Sequence, residues 1–362
     1  MHVLVAGGAG LIGSNLCEEL LRRGNRVLCV DNLSTGRRQN HEPFVSHPNF
    51  TFIRHDIIQD LPSFDRLDRV YHLASPASPV GYTRLPIETL RVNSEGTHRL
   101  LQLARAHQAR FLYTSTSEIY GDPLVHPQSE SYRGNVSCTG PRSMYDEAKR
   151  YGEALVMAFV RSHGVDARVV RIFNTYGPRC GESDGRLVSN LITQGLRGEP
   201  MTIYGDGRQT RSLCYVADMV EGLIGMMESP LAKGEIVNLG NPDERTVLEH
   251  AQLIRELTHS NSKLVFGRPA VGDDPQVRCP DIRKAESLLG WKPRIGLEEG
   301  LARTIDYFRW VLRRRVAVNG VPAGPVNGVP VGPVNGAAAG TGHGGNGAAA
   351  MPAPKRSAPE KA

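Results

Sequence analysis

Residues 2–31 read HVLVAGGAGLIGSNLCEELLRRGNRVLCVD. His2 to Ala6 is a short, mostly apolar run that predicts a strand. Gly7-Gly8-Ala9-Gly10-Leu11-Ile12-Gly13 follows, then an amphipathic segment to about Arg23 that Gly24-Asn25 ends. Arg26 to Val30 predicts a second strand, closed by Asp31. Strand, glycine turn, helix and strand in this order make a βαβ unit. Glycines 7, 10 and 13 fit GxxGxxG, and 8, 10 and 13 also fit GxGxxG. Such glycines let the backbone turn tightly and approach a pyrophosphate, which rests on the helix N-terminus. A lone glycine motif decides little; lying between a strand and a helix, with an acid ending the next strand, it reads as a dinucleotide signature. Asp31 accepts from both ribose hydroxyls of an adenosine and repels a 2′-phosphate, which favours NAD over NADP. The Arg37-Arg38 pair leaves the phosphorylated cofactor open.

Outward from this unit the alternation continues. Thr51 to His55 predicts a third strand ending at Asp56-Ile57, where an acid can meet an adenine amino group. Arg69 to Leu73 predicts a fourth, running into the small residues Ala74-Ser75-Pro76-Ala77-Ser78-Pro79. Pro86 to His107 reads as one long helix, Ala109 to Tyr113 as the fifth strand and Ala167 to Ile172 as the sixth. Five strand–helix alternations predict a Rossmann-type, doubly wound parallel sheet over residues 1–173. After Phe173 the pattern breaks into smaller elements, including strands at 201–204 and 212–216 and helices at 187–197, 218–227, 247–258, 281–289 and 297–313. They predict a C-terminal α/β substrate-binding lobe over 174–315, with the strand at 236–240 returning to the sheet. From Val316 the composition collapses to Gly, Ala, Pro, Val and Asn, with the near-repeats NGVPAGPV and NGVPVGPV. Without aromatics, nothing there offsets chain entropy, so 316–362 reads as a disordered tail.

Between the fifth strand and the next helix lies the candidate chemistry. Thr114-Ser115-Thr116-Ser117-Glu118 sits at the strand end. After a long polar loop comes Tyr145-Asp146-Glu147-Ala148-Lys149. Tyr145 and Lys149, four apart on a helix, share a face. A tyrosine of ordinary pKa about 10 is a poor base, and a neighbouring ammonium favours the phenolate. Many chains carry such a pair on a bland surface; here the glycine motif upstream gives it a purpose.

Composition bounds the rest. The net charge is +6, of which the tail carries +2. The body has no arginine-rich block, so nucleic acid is not expected. Six cysteines stand without CxxC or Cys–His ligand spacing and read as reduced thiols, with no metal site. No signal peptide precedes the first strand and no apolar run is long enough to span a bilayer, so a cytoplasmic protein is expected.

Taken together, the glycine motif, Asp31, the Thr-Ser cluster and YxxxK resemble the extended short-chain dehydrogenase/reductase family, whose members act on nucleotide sugars. The resemblance covers nearly all of 1–310. Within the family it is sharpest to the UDP-glucuronate decarboxylases (UDP-xylose synthases), through HLASPASPVGY (72–82), TSTSEIYGDPLVHPQ (114–128), YDEAKR (145–150), RIFNTYGPR (171–179), DGRLVSN (184–190), YGDGRQTRS (204–212) and DDPQVRCPDI (273–282). It implies oxidation at C4 of a UDP-glucuronate ring with NAD as hydride acceptor, loss of CO2 from the 4-keto acid, and return of the hydride. It implies Tyr145 as the base, Lys149 as the group that lowers its pKa and holds the nicotinamide ribose, and Thr116 on the C4 oxygen. Glu118 would serve the decarboxylation and Arg278 the sugar carboxylate; read alone, Arg278 suits a surface ion pair with Asp273 or Asp274. NAD would lie on Gly7, Gly10, Leu11, Ile12, Gly13, Asp31, Asn32, Asp56, Ile57 and Leu73. The UDP-sugar would meet Arg91, Asn174, Val188, Tyr204, Gln209, Arg211 and Arg278. The related 4,6-dehydratases carry an Asp-Glu pair after the threonine; this chain has Ser117-Glu118. Arg91-Val92 departs from the family's usual Lys-Thr, which leaves a dTDP-linked uronic acid open as substrate, and a 4-epimerase is the other alternative. A homodimer through helices near 86–107 and 143–163 is expected by the same analogy.

Overall fold

The computed structural model describes residues 1–267 and 275–319. Strands β1 (His2–Ala6), β2 (Arg26–Asp31), β3 (Phe50–Arg54), β4 (Arg69–His72), β5 (Arg110–Thr116) and β6 (Ala167–Ile172) join the strand Ile236–Leu239 in one sheet. The order across it is β3-β2-β1-β4-β5-β6, with Ile236–Leu239 beyond β6, and every pairing is parallel. The chain winds outward from β1 to β3, then crosses back to β4 and winds the other way. The order therefore reverses between β1 and β4, and a crevice opens there at the carboxyl ends of the strands. This is the doubly wound α/β class expected.

Both faces of the sheet are covered, which is why its strands read as nearly unbroken apolar runs. Side-chain alternation along β1 sends Val3 and Val5 into one core and Leu4 and Ala6 into the other. The first core also takes Leu16 and Leu20 from α1 (Leu11–Arg22), and with them Tyr176, Leu191 and Met219 from the elements after Phe173. The second takes Leu100, Phe111 and Val156.

Three stretches differ from the sequence expectation. The long helix expected over 86–107 is α3 (Pro86–Arg91), one π turn (Val92–Gly96) and α4 (Thr97–Ala106), preceded by an unexpected α2 (Pro79–Arg84). The π turn coincides with Asn93, whose amide donates to Thr89 O at 2.8 Å and to Ser75 Oγ at 2.9 Å while its oxygen accepts from Tyr113 at 3.0 Å. A buried Asn that must reach both neighbours widens the helix locally. The strand expected over 212–216 is two pieces, Thr210–Ser212 and Cys214–Tyr215. Val216 already opens the helix Val216–Glu228, in which Asp218 accepts from the Ile295 amide at 2.9 Å. The final helix, Leu297–Asn319, runs four residues into the expected tail, because Val316 to Asn319 contain no breaker before Gly320. The rest of the expected tail, and Asp273-Asp274, lie outside the described residues.

α5 (Ser143–His163) packs along β5 with almost no clearance: a Cβ on Gly152 would lie 2.2 Å from the Tyr113 hydroxyl. Among the described residues the smaller elements add three two-stranded pairings: Thr210–Ser212 antiparallel to Glu244–Thr246, Cys214–Tyr215 parallel to Thr175–Tyr176, and Met201–Tyr204 parallel to Leu264–Gly267, a strand the sequence did not suggest. Among the described residues no helix is long and apolar enough to cross a membrane.

Candidate active site

The glycine loop follows β1 and opens α1. Gly7 has φ +82°, and a Cβ there would come within 2.5 Å of Ala74 N; a Cβ on Gly13 would come within 2.2 Å of Gly7 O. Both positions therefore require glycine, and the loop is pressed so close to the β4 end that the α1 N-terminus faces the crevice. Leu11 and Ile12 form the first turn of α1 behind it. At the end of β2, Asp31 accepts the Ala9 amide on Oδ2 (2.9 Å) and the Leu33 amide on Oδ1 (2.8 Å), and burial raises its pKa. Asp56 accepts from the Asn32 side chain at 2.9 Å. Gly7, Gly10, Asp31, Asn32, Asp56, Ile57 and Leu73 line one groove. Arg37, which raised the question of a 2′-phosphate, is spent elsewhere: its guanidinium donates to the carbonyls of Arg179 (2.9 Å) and Cys180 (2.7 Å). A cradle that a Cβ would fill, with an acid at the ribose end, fits NAD.

Past the groove, β5 delivers Thr116, whose hydroxyl accepts the Glu118 amide at 3.3 Å and so turns the chain into Ser117–Tyr120. Tyr145 lies in the first turn of α5, stacked on Tyr82 with ring centroids 5.1 Å apart and 13° between planes. One turn on, Lys149 donates to Thr114 O at 2.8 Å, and its Nζ lies 6.0 Å from the Tyr145 ring centroid. Burial pulls Lys149 down to about 7, against Glu153, which raises it. Burial also pushes Tyr145 up to about 12, against a hydrogen bond with Thr116 that lowers it. Burial is the largest influence on both groups, and the hydrogen bond with Thr116 and the charge of Arg186 act on Tyr145 in the direction that the sequence reading assigned to Lys149.

Glu118 is the hub of the polar end. Its Oε1 lies 2.7 Å from Arg278 Nη1 and its Oε2 2.8 Å from Arg278 Nη2, a bidentate pair, and Arg142 donates to Oε2 as well. Burial raises the carboxyl's pKa, but Arg278, Arg142 and Arg211 together hold it below the usual carboxylate value. Arg278 also donates to Asn174 Oδ1 at 3.1 Å and is nearly buried. Its partner is Glu118, whereas Asp273 and Asp274 lie outside the described residues.

The structure thus brings together Thr116, Glu118, Tyr145, Lys149, Asn174, Arg211 and Arg278. Val188 is buried on the helix Leu187–Arg197, and Gln209 donates to Tyr204 O at 2.5 Å at a more exposed margin. Arg91 is not brought in: it is exposed and paired with Glu95 at 2.9 Å, one helical turn on. Three residues escaped the sequence reading. Arg142 stands three before Tyr145, the spacing of one helical turn, which was the available signal. Tyr82 supports the Tyr145 ring. Arg186, which donates to Ala77 O at 3.1 Å, lies near enough to Tyr145 to lower its pKa; it stands inside the DGRLVSN stretch (184–190), which was the available signal.

A dinucleotide groove beside a Thr–Tyr–Lys cluster, at the carboxyl ends of a doubly wound sheet, defines a short-chain dehydrogenase/reductase type of site. Residues 3–240 match the family model described as the NAD dependent epimerase/dehydratase family. The chain belongs to that family. It is 50% identical over 321 residues to UDP-glucuronic acid decarboxylase 1 of Danio rerio, covering 89% of this chain and 76% of that one. It is 51% identical over 312 residues to UDP-glucuronic acid decarboxylase 4 of Arabidopsis thaliana, covering 85% and 69%. Among solved structures, UDP-glucose 4-epimerase of Thermotoga maritima with UDP-glucose superimposes with TM-score 0.79 at 33% identity, over 86% of this chain and all of that one. UDP-glucuronic acid 4-epimerase of Bacillus cereus, with UDP-glucuronic acid and NAD, gives TM-score 0.77 at 28% identity, over 86% and 100%.

Proposed function

We propose that this protein is an NAD-dependent UDP-glucuronate decarboxylase that makes UDP-xylose. The observation that carries the reading is the Glu118–Arg278 pair beside Thr116 and Tyr145. Three guanidinium groups gathered on one carboxylate leave a positive pocket, suited to the carboxylate and diphosphate of an anionic sugar nucleotide. The names of relatives half identical over most of the chain support the same substrate.

Bound NAD, held on the glycine loop, Asp31 and Lys149, supplies a reversible hydride acceptor at C4. The chain's own groups handle protons and charge. Tyr145 takes the C4 hydroxyl proton and returns it at the end of the cycle, with Thr116 holding the same oxygen. For the phenolate to form, the ammonium form of Lys149 must be retained. Arg278 passes from Glu118 to the substrate carboxylate, since a carboxylate matches its planar fork equally well. When the C5–carboxylate bond breaks and CO2 leaves, the electron pair moves into the 4-keto group, where Thr116 stabilises the oxygen. With Arg278 on the substrate, Glu118 keeps Arg142 but loses the first of the charges that hold its pKa down, so it takes up a proton from solvent and passes it to C5. Ser117 in place of an acid leaves no group to protonate a departing hydroxyl at C6, which disfavours dehydratase chemistry. The elements after Phe173 serve as the substrate lobe, with Val188, Tyr204 and Gln209 at the base. Exposed Ile87, Leu90 and Tyr151 on the neighbouring helices α3 and α5 supply the apolar face of a homodimer.

The test is incubation with NAD and UDP-glucuronate, following CO2 and identifying the nucleotide sugar by NMR. UDP-xylose is expected. Tyr145→Phe is expected to bind NAD normally while turnover falls about 10³-fold; turnover that survives this change contradicts the role of Tyr145.

A further inference from the structure

His126, Glu244 and Cys279 are far apart in the sequence and come from three separate segments. One ligand atom from each converges, all within 4.8 Å of one another. His126 Nε2 is 2.9 Å from Glu244 Oε2. Cys279 is buried, whereas His126 is 44% exposed, so the cluster opens to solvent through the imidazole.

The scaffold around these donors is built rather than loose. Gln128, two residues after His126, donates its amide to Cys279 O (2.9 Å), accepts the Cys279 amide on its side chain (2.9 Å) and accepts the Asp281 amide on its carbonyl (2.9 Å). Glu244 pairs with Ser212 in the antiparallel ribbon, so both side chains leave on one face. The Cys279 thiol donates to Pro242 O at 3.6 Å, and Thr210 donates to the other carboxylate oxygen of Glu244. Ligands oriented in this way by outer partners are the usual construction of a metal centre.

From this arrangement the geometry points to a binding site for a zinc-type divalent cation on His126, Glu244 and Cys279. A set of imidazole, carboxylate and thiolate suits zinc and its analogue cobalt, and is too soft for magnesium or calcium. Bonds of about 2.0–2.3 Å place tetrahedral ligands roughly 3.5 Å apart, so side-chain shifts of about 1 Å bring the three donors into a shell. Water takes the fourth position, and Cys279 gives its proton to solvent as the thiolate forms. The local sequence shows no ligand spacing, which is why the cysteine pattern predicted no site.

The site has a consequence for the candidate chemistry. Cys279 directly follows Arg278, so a bound cation ties the backbone that carries Arg278 to the ribbon at Glu244. It acts as a positioning element for the pairing of Arg278 with Glu118 or with a substrate carboxylate.

The test uses full-length protein carrying Cys138→Ser, which removes the exposed thiol. The protein is stripped with chelator and titrated with Co2+, and the thiolate-to-cobalt charge-transfer band and the visible ligand-field bands are followed. Zinc retained after dialysis is counted separately. Expected is about one ion per chain with tetrahedral cobalt bands, weakened at least 10-fold by Cys279→Ser and also by His126→Ala, a change at an exposed side chain that leaves the core intact. Two results overturn the proposal: no saturable binding, or binding that both variants leave unchanged.

Discussion

At the scale of single residues, the candidate site is governed by what burial does to charge. Lys149 is buried with a carbonyl and two aromatic rings for company, and its pKa falls to about 7. In the unfolded chain it returns to about 10.4. Between those values the unfolded chain holds the proton and the folded chain does not, so this residue makes stability rise with pH from about 7 to about 10. Chemical denaturation of wild type and Lys149→Met across that range measures the effect. The wild type is expected to gain on the variant by a few kcal/mol as pH rises, and parallel curves would contradict the depressed pKa. The same balance explains what was legible locally. Tyr145 and Lys149 announce themselves by spacing, and Gly7 and Gly13 by motif. The gathering of Arg142, Arg211 and Arg278 on Glu118 does not, because an arginine in a loop looks solvated until the fold supplies its partner. The rise that burial gives Tyr145 was hidden for the same reason: desolvation is a property of the packed site, not of the pair.

At the scale of elements, β5 and α5 form the seam that holds Thr116 against Tyr145. Gly152 is the contact that lets them close, because a methyl group there would meet the Tyr113 ring. Gly152→Ala is expected to cost about 1–3 kcal/mol by overpacking, visible as a lower Tm, and to reduce turnover by shifting Tyr145. An unchanged Tm would mean that α5 has room the structure does not show. Regular elements of this frame were readable because their apolar runs and glycine stops are local signals. The departures came where a long-range partner decides. Asn93 sits in the π turn of its helix and reaches Ser75 and Tyr113. Val216 joins a helix whose Asp218 is claimed by Ile295. Leu264–Gly267 becomes a strand because Met201–Tyr204 lies beside it.

At the scale of the whole molecule, the chain reversal between β1 and β4 puts the dinucleotide groove, the Tyr145 cluster and the Glu118 hub along one edge of the sheet. The apolar residues left outside are expected to pair two copies. Light scattering of the full chain should give twice 39.6 kDa, and Ile87→Glu with Tyr151→Glu should return it to one chain; a wild-type monomer would contradict the dimer. The claim that binds all three scales is that oxidation at C4, loss of CO2 and restoration of C4 occur in one site with no net redox change. It is tested most directly with UDP-glucuronate deuterated at C4, NAD in catalytic amount, and NMR of the product. The account predicts UDP-xylose that keeps deuterium at C4, with one CO2 released per sugar. UDP-galacturonate formed without CO2 would contradict it and make the protein an epimerase.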